Sequence, residues 1–162
     1  MLFSPDSVRA ILGGRKTQTR RLHRGGDAIP RCKFGQAGDL LWVRENFAMD
    51  ADESVHYRAD YPEILIEAGY TWRPSIYMPK TLARIWLQIV RVKFERLQDI
   101  SEHDLVAEGL PDNWLREGRM AQQWFVGLWD RLHAYAPYRW VDNPAVWAIE
   151  FEVLTTTGEI RL

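Results

Sequence analysis

At 162 residues and 46% hydrophobic, the chain is long enough to bury one real core and too short to be expected to form two domains. A formal net charge of −1 with a pI near 6.4 argues against a protein whose whole surface is a basic glove for nucleic acid. The single Cys32 rules out an internal disulfide, and without a signal-peptide pattern or an apolar run of about 18 residues the expectation is a cytoplasmic protein with no membrane partner.

The first element reads as a short helix, with Ser4 as N-cap, Pro5 in the first helical position and Val8, Ile11 and Leu12 on one face. Gly13-Gly14 stops it. Beyond the glycines, Thr17, Thr19 and Arg21 alternate with Gln18, Arg20 and Leu22, as in a strand. A regular strand puts Lys16 and Thr19 on opposite faces, so they converge only if the junction bends, which the two glycines permit. After a turn at Gly35-Gln36-Ala37-Gly38-Asp39, Leu40 to Phe47 is strand-like, with Trp42 and Arg44 on one side and Leu41 and Val43 on the other. Met49 to Lys80, with its acidic patch, a short Val55 to Arg58 strand and a proline-punctuated aromatic run, reads as an elaborated loop with one hairpin.

Ile85, Leu87 and Ile89 alternate in one phase and Val90, Val92 and Phe94 in the other, which predicts a long strand with a bulge or strong bend. Ser101 and Asp104, three apart, form a capping-box pattern for a short helix that runs to Glu108 and is stopped by Gly109. A second helix follows Gly118, its apolar face made by Met120, Trp124, Phe125, Leu128, Trp129 and Leu132; Trp124 and Trp129 are assigned to packing. Val146 to Leu154 alternates as a half-buried closing strand, with a frayed tail after about residue 154. The sum is a single α+β domain, a small antiparallel or mixed β-barrel decorated by about three helices.

Charge is unevenly spread. Seven cations and one anion lie between Arg15 and Phe34, so that stretch carries +6 and the remainder −7, which leaves a local anionic partner open, RNA included. His23, His56, His103 and His133 are scattered and there is no Cys-x-x-Cys, so none of the common zinc spacings is present. Zinc nucleobase deaminases are excluded on the same ground. No metal or cofactor is expected, although carboxylates brought together by folding leave magnesium open.

The segment Gly13 to Arg21 crowds one amine, two threonine hydroxyls and three guanidinium groups behind the glycine stop. A threonine hydroxyl such as that of Thr19 is a poor nucleophile until a base takes its proton, and Lys16 can be that base only if its pKa falls toward neutrality. Neighbouring Arg15, Arg20 and Arg21 push it down, as does burial; a carboxylate that merely paired with Lys16 would hold it protonated. A third group must steady the tetrahedral intermediate and protonate the leaving nitrogen. The bland readings are a β-branched strand residue for Thr19 and a solvated face for the cations.

The run Gly14-Arg15-Lys16-Thr17-Gln18-Thr19-Arg20, then Gly38-Asp39-Leu40-Leu41-Trp42-Val43 and finally Trp147-Ala148-Ile149-Glu150-Phe151, resembles the ASCH superfamily of small PUA-like β-barrel domains. The longer pattern, with Tyr57-Arg58-Ala59-Asp60 and Ser75-Ile76-Tyr77-Met78-Pro79-Lys80, looks like ASCH proteins common in phages and prophages. The compact members are amidohydrolases that remove the acetyl group of N4-acetylcytidine with a threonine, a lysine three residues earlier and a glutamate from a later helix. The resemblance therefore implies Thr19 as nucleophile, Lys16 as base and Glu108 as the third catalytic group, acting without metal or cofactor on an acylated cytosine base or nucleoside. Arg15, Arg21, Trp72 and Tyr77 are the candidates for holding that substrate, the two rings by stacking. The sequence departs at Arg20, where the family commonly has a hydrophobic residue, and the extra length lies chiefly in 49–80 and between Glu108 and Val146. RNA binding, or RNA cleavage by the same residues without metal, is the alternative that the basic stretch supports.

Overall fold

The computed structural model describes residues 1–25, 31–61, 71–116 and 121–157. Helix α1 (Pro5–Leu12) starts where the Ser4 hydroxyl accepts from the Ser7 amide, and it buries Val8, Ala10 and Ile11. Leu12, expected on the inner face, is instead exposed. The chain then turns through Gly14 at φ +71°, a left-handed conformation that a glycine adopts at no steric cost, and enters β1 (Gln18–Leu22).

Four strands form one antiparallel sheet. They are β1, β2 (Leu40–Trp42), β5 (Trp86–Arg96) and β6 (Ala145–Thr155), and β3 (Phe47–Met49) pairs with β4 (Val55–Tyr57) as a separate hairpin. The order β1-β6-β5-β2 curls into a half-barrel. The expected Leu40 to Phe47 strand is thus two strands, split between the main sheet and the hairpin. The phase switch on β5 is a register shift between Ile89 and Arg91, leaving Val90 exposed while Leu87 and Ile89 stay in the core. β6 continues through Thr155, one residue beyond the point where fraying is expected; residues 158–162 of that tail lie outside the described residues.

The inner curve of the sheet holds the larger core, in which Ile85, Leu87, Ile89, Ile149 and Phe151 pack against Val8 and Ile11 of α1. The sheet's other face carries helices α2 (Glu102–Ala107), α3 (Asp112–Arg116) and α4 (Ala121–Leu132). There Leu22, Leu97 and Val146 meet Leu105, Phe125 and Trp129. Helix α3 has no counterpart in the sequence reading, because five residues are too few to display a helical period.

The half-barrel has two free edges, β1 and β2, and the N-terminal segment lies between them. Leu2 bridges Arg44 in parallel, with Phe3 N to Arg44 O at 3.1 Å, and from the other edge Arg21 Nη2 donates to Leu2 O at 2.8 Å. A side chain, not a strand, therefore spans the gap, and the gap is where the site sits.

Candidate functional site

Alternation along β1 aims its side chains at two different surroundings. Gln18, Arg20 and Leu22 face the helices, whereas Thr19 and Arg21 face the inner curve and the N-terminal segment. Because β1 is an edge strand, a cavity running along it touches both sets. Such a cavity, about 540 Å³ in volume, is lined by Lys16, Thr19, Arg20, Arg21 and Glu108 on its polar side. Its apolar wall comes from Phe3 and from the α4 residues Phe125, Leu128, Trp129 and Leu132.

Lys16 lies just before β1, in an isolated antiparallel bridge with Glu108. It is 3% exposed, and its ammonium donates to the Glu108 backbone oxygen at 2.8 Å and to Glu108 Oε2 at 2.7 Å. The close approach depends on Gly109, at φ +94°, where a Cβ would fall 3.0 Å from Lys16 Cβ and 3.1 Å from Ala10 Cβ. Any other residue there would push Lys16 off its partner. The second Glu108 oxygen accepts from Arg20 Nη1 at 3.2 Å.

Arg20 is the hub of this cluster. Its guanidinium also donates to Glu95 Oε1 from Nε at 3.1 Å and Nη2 at 2.6 Å, to Asp104 Oδ2 at 3.2 Å and to the Gln18 amide oxygen at 2.7 Å. Asp104 thereby caps α2 through Ser101 and pairs with β1 at once. Three carboxylates converge on a guanidinium and an ammonium; among the described residues no group of three or more His, Cys, Asp or Glu side chains is placed to hold a metal ion.

Thr19 is 1% exposed, and its hydroxyl accepts from Arg21 Nη1 at 2.6 Å. Arg21 spends its other donors on backbone oxygens of Arg20 and Leu2 and lies over the Phe3 ring at 4.9 Å, with no carboxylate among the described residues in hydrogen-bond contact. Lys16 and Thr19 line the same cavity but are not hydrogen-bonded to each other; each is engaged by a different partner.

Burial pushes the Lys16 ammonium below the ordinary lysine value of 10.5, opposed by the charge and hydrogen bond of Glu108 and assisted by Arg21 and Arg20. Burial also brings Arg21 down to about 10, opposed only by Glu108. Burial favours the neutral Asp104 carboxyl, but hydrogen bonds from Ser101 and Gln18 and the Arg20 charge outweigh it and leave the group at about 2. His133, at the cavity's α4 end against the Trp129 ring, is lowered by burial and by Arg24 and Arg21.

Of the residues singled out in the sequence, Lys16, Thr19, Glu108 and Arg21 are together at this cavity, and Arg15, Trp72 and Tyr77 are not among its lining. Arg15 is exposed on the far side of Glu108. Trp72 is half-buried under the Arg58 guanidinium, 5.1 Å from the ring centre, and Tyr77 is 72% exposed, so neither ring stands where a base in this cavity would stack. Trp129 both packs and lines the cavity, its Nε1 donating to Tyr138 O at 2.8 Å. Sequence reasoning missed Gln18, Glu95 and Asp104 as partners of the site. The available signal was Arg20 itself, a charge at a strand position whose neighbour Leu22 is core.

No family model and no curated protein matches this sequence. Among solved structures, the chain is similar to a protein of Enterococcus faecalis V583 described by the family model DUF984, at 15% identity over 99% of this chain and 82% of that one, with a TM-score of 0.48. It is also similar to an ASCH domain from Lactobacillus crispatus JV V101, at 18% identity over 91% of this chain and 71% of the other, with a TM-score of 0.41. No helix among the described residues is long and apolar enough to cross a membrane.

Proposed function

We propose that the protein hydrolyses the amide of an N4-acylated cytosine, as base or nucleoside, through Thr19, Lys16 and Glu108. The observation that carries this reading is the meeting of Lys16 with Glu108, 92 positions away, at the wall of a cavity that Thr19 also lines. The sequence resemblance to ASCH amidohydrolases supports the same three residues.

The Lys16 and Glu108 pair is suited to the chemistry in a way that the sequence alone conceals. As an ion pair, the ammonium is no base. Moving one proton along the 2.7 Å hydrogen bond turns it into an amine and a carboxylic acid, and burial, which penalises both charges, narrows the gap between the two forms. Those are the forms the reaction needs. The amine takes the Thr19 proton as Oγ1 attacks the acyl carbon, and the acid protonates the departing cytosine nitrogen. Arg21, already on the Thr19 oxygen and hydrogen-bonded to no carboxylate among the described residues, meets the charge that develops on the acyl oxygen. Water then releases the acyl group from Thr19, with Lys16 again taking the proton.

The test is a spectrophotometric assay of purified protein with N4-acetylcytidine and a bulkier N4-acyl analogue, chelator present, beside Lys16→Ala and Thr19→Ala. Turnover by the parent and its loss in both variants is the expected result. Full activity in Thr19→Ala would refute the mechanism.

A further inference from the structure

A second, smaller cavity of about 240 Å³ opens between α1 and α4 and shares Ser4, Ser7, Glu108 and Leu128 with the first. Glu108 thus lines both cavities. The smaller cavity is rimmed by Arg9, Arg15, Arg131 and Trp124. Arg9 is committed to Asp6 and, at 3.1 Å, to the Ala59 carbonyl. The Arg15 and Arg131 side chains are exposed and make no hydrogen bond or ion pair among the described residues. The acids at this cavity do not balance them, since Asp6 is held by Arg9, and Glu108 by Lys16 and Arg20. Two guanidinium groups without a carboxylate partner among the described residues therefore line a cavity whose wall includes Glu108.

Guanidinium presents a planar fork of donors that matches phosphate oxygens, and it keeps its charge at any working pH. A neutral nucleoside has no group that calls for two such forks. We infer that the smaller cavity is a phosphate subsite, filled by a phosphate covalently attached to the cytidine whose acylated base occupies the larger one. The substrate class narrows accordingly to a nucleotide, free or within an RNA strand; this rests on the reading proposed above. Arg131 belongs to α4 and Arg15 to the turn before β1, so two separate elements supply the pair of forks.

The experiment compares N4-acetylcytidine, its 5′-monophosphate and a short oligoribonucleotide carrying one N4-acetylcytidine, using the parent protein and the double variant Arg15→Gln, Arg131→Gln. The expected result is a KM for the monophosphate or the oligonucleotide about tenfold or more below that of the nucleoside, with the difference shrinking as salt is raised. In the double variant that ratio falls toward one. A lower KM for the oligonucleotide than for the monophosphate identifies a strand phosphate as the occupant, and the reverse identifies a free nucleotide. Equal KM for nucleoside and both phosphorylated forms in the parent, or a ratio that survives the double substitution, overturns the subsite while leaving the amidohydrolase intact. Should the parent hydrolyse none of the three, calorimetric titration with cytidine 5′-monophosphate and cytidine decides the question separately. Tighter binding of the monophosphate that is lost in the double variant upholds the subsite, and equal or absent binding overturns it.

Discussion

Arg20 and Arg84 are both arginines set among carboxylates in this small protein, and only one of them belongs to a candidate site. Arg84 forks onto Glu45 at 2.9 Å from Nε and 2.9 Å from Nη2, and onto Asp60 at 2.6 and 2.9 Å, with the Tyr57 ring 4.1 Å from its central carbon. Glu45 is 1% exposed, and burial pushes its carboxyl up against the pull of Arg84. Arg20 serves Glu95, Asp104 and Glu108 in much the same manner. The difference lies in what surrounds each cluster. Arg84, Glu45 and Asp60 tie the hairpin and its following loop to the sheet and do not line the 540 Å³ cavity; Arg20 and Glu108 line it, beside an amine and a hydroxyl. Buried ion pairs by themselves are weak evidence of function, because structural networks arise from the same forces. A cluster becomes a site when an open cavity and a reactive atom adjoin it.

The sharpest way to break that contrast is to remove one hydroxyl beside each cluster. Thr19→Val keeps the shape of a fully buried residue and is expected to lower kcat by about 1,000-fold or more. Tyr57→Phe, which removes a hydroxyl that donates to Leu82 O at 2.8 Å, is expected to leave kcat within about twofold. Steady-state kinetics on both variants, with circular dichroism to verify folding, provides the check; equal losses would erase the distinction.

Removing the arginines themselves acts on stability in both places. Arg20→Leu and Arg84→Leu each strand at least one buried carboxylate, and each is expected to cost about 3–5 kcal/mol in denaturant titrations. Activity per folded molecule should survive only in Arg84→Leu, and a dead Arg84→Leu would show that its cluster is not merely structural.

Titration offers a third contrast. The Lys16 pKa is lowered, so the neutral amine gains population with rising pH below the ordinary lysine value of 10.5. The same loss of the pair's one proton leaves Glu108 unable to act as the acid, so kcat/KM should hold level while the pair keeps that proton and fall before 10.5, and a profile that climbs over that range would refute the shared-proton mechanism. Asp104 runs the other way for stability. Its folded pKa of about 2 lies below the ordinary 3.8, so its contribution is complete above 3.8 and is lost as pH falls toward 2. Acid denaturation of Asp104→Asn should accordingly show a shallower decline over that interval.

The smallest effect expected is at Ser101. Ser101→Ala removes the hydroxyl that caps α2 at the Asp104 amide, costing about 1 kcal/mol and loosening the end of the helix that carries Asp104 to Arg20. A melting temperature unchanged from the parent would show that the Asp104 side of the capping box suffices.

Local order was legible wherever it depends on neighbours in the chain. The Ser4 and Ser101 caps, the stops at Gly13 and Gly109 and the β5 bulge each leave a residue-level trace, because caps, turns and strand phase are set within a few positions. Strand β6, expected to alternate as a half-buried strand, is instead buried on both faces from Val146 to Ile149, where it is a central strand with a core on each side. The approach of Lys16 to Thr19 was not legible in its actual form. Reasoning from one strand requires a bend to unite opposite faces, whereas the cavity unites them across the free edge of β1. Trp72 and Tyr77 have the chemistry to stack on a base, and only the path of the 71–80 segment decides that they stand elsewhere.

What the sequence determined by itself is the class of the fold; with the family resemblance it also offered an amine, a hydroxyl and a carboxylate as candidates, without bringing them together. Hydrophobic periodicity, turn chemistry and side-chain type are properties of the chain at short range. What only the tertiary structure decided is who partners whom: Lys16 with Glu108, Thr19 with Arg21, and Arg20 with three acids from β5, α2 and the residue that follows α2. Those pairings join positions as far apart as 92 residues, and the burial that sets their charges does not exist until the sheet and helices have closed over them.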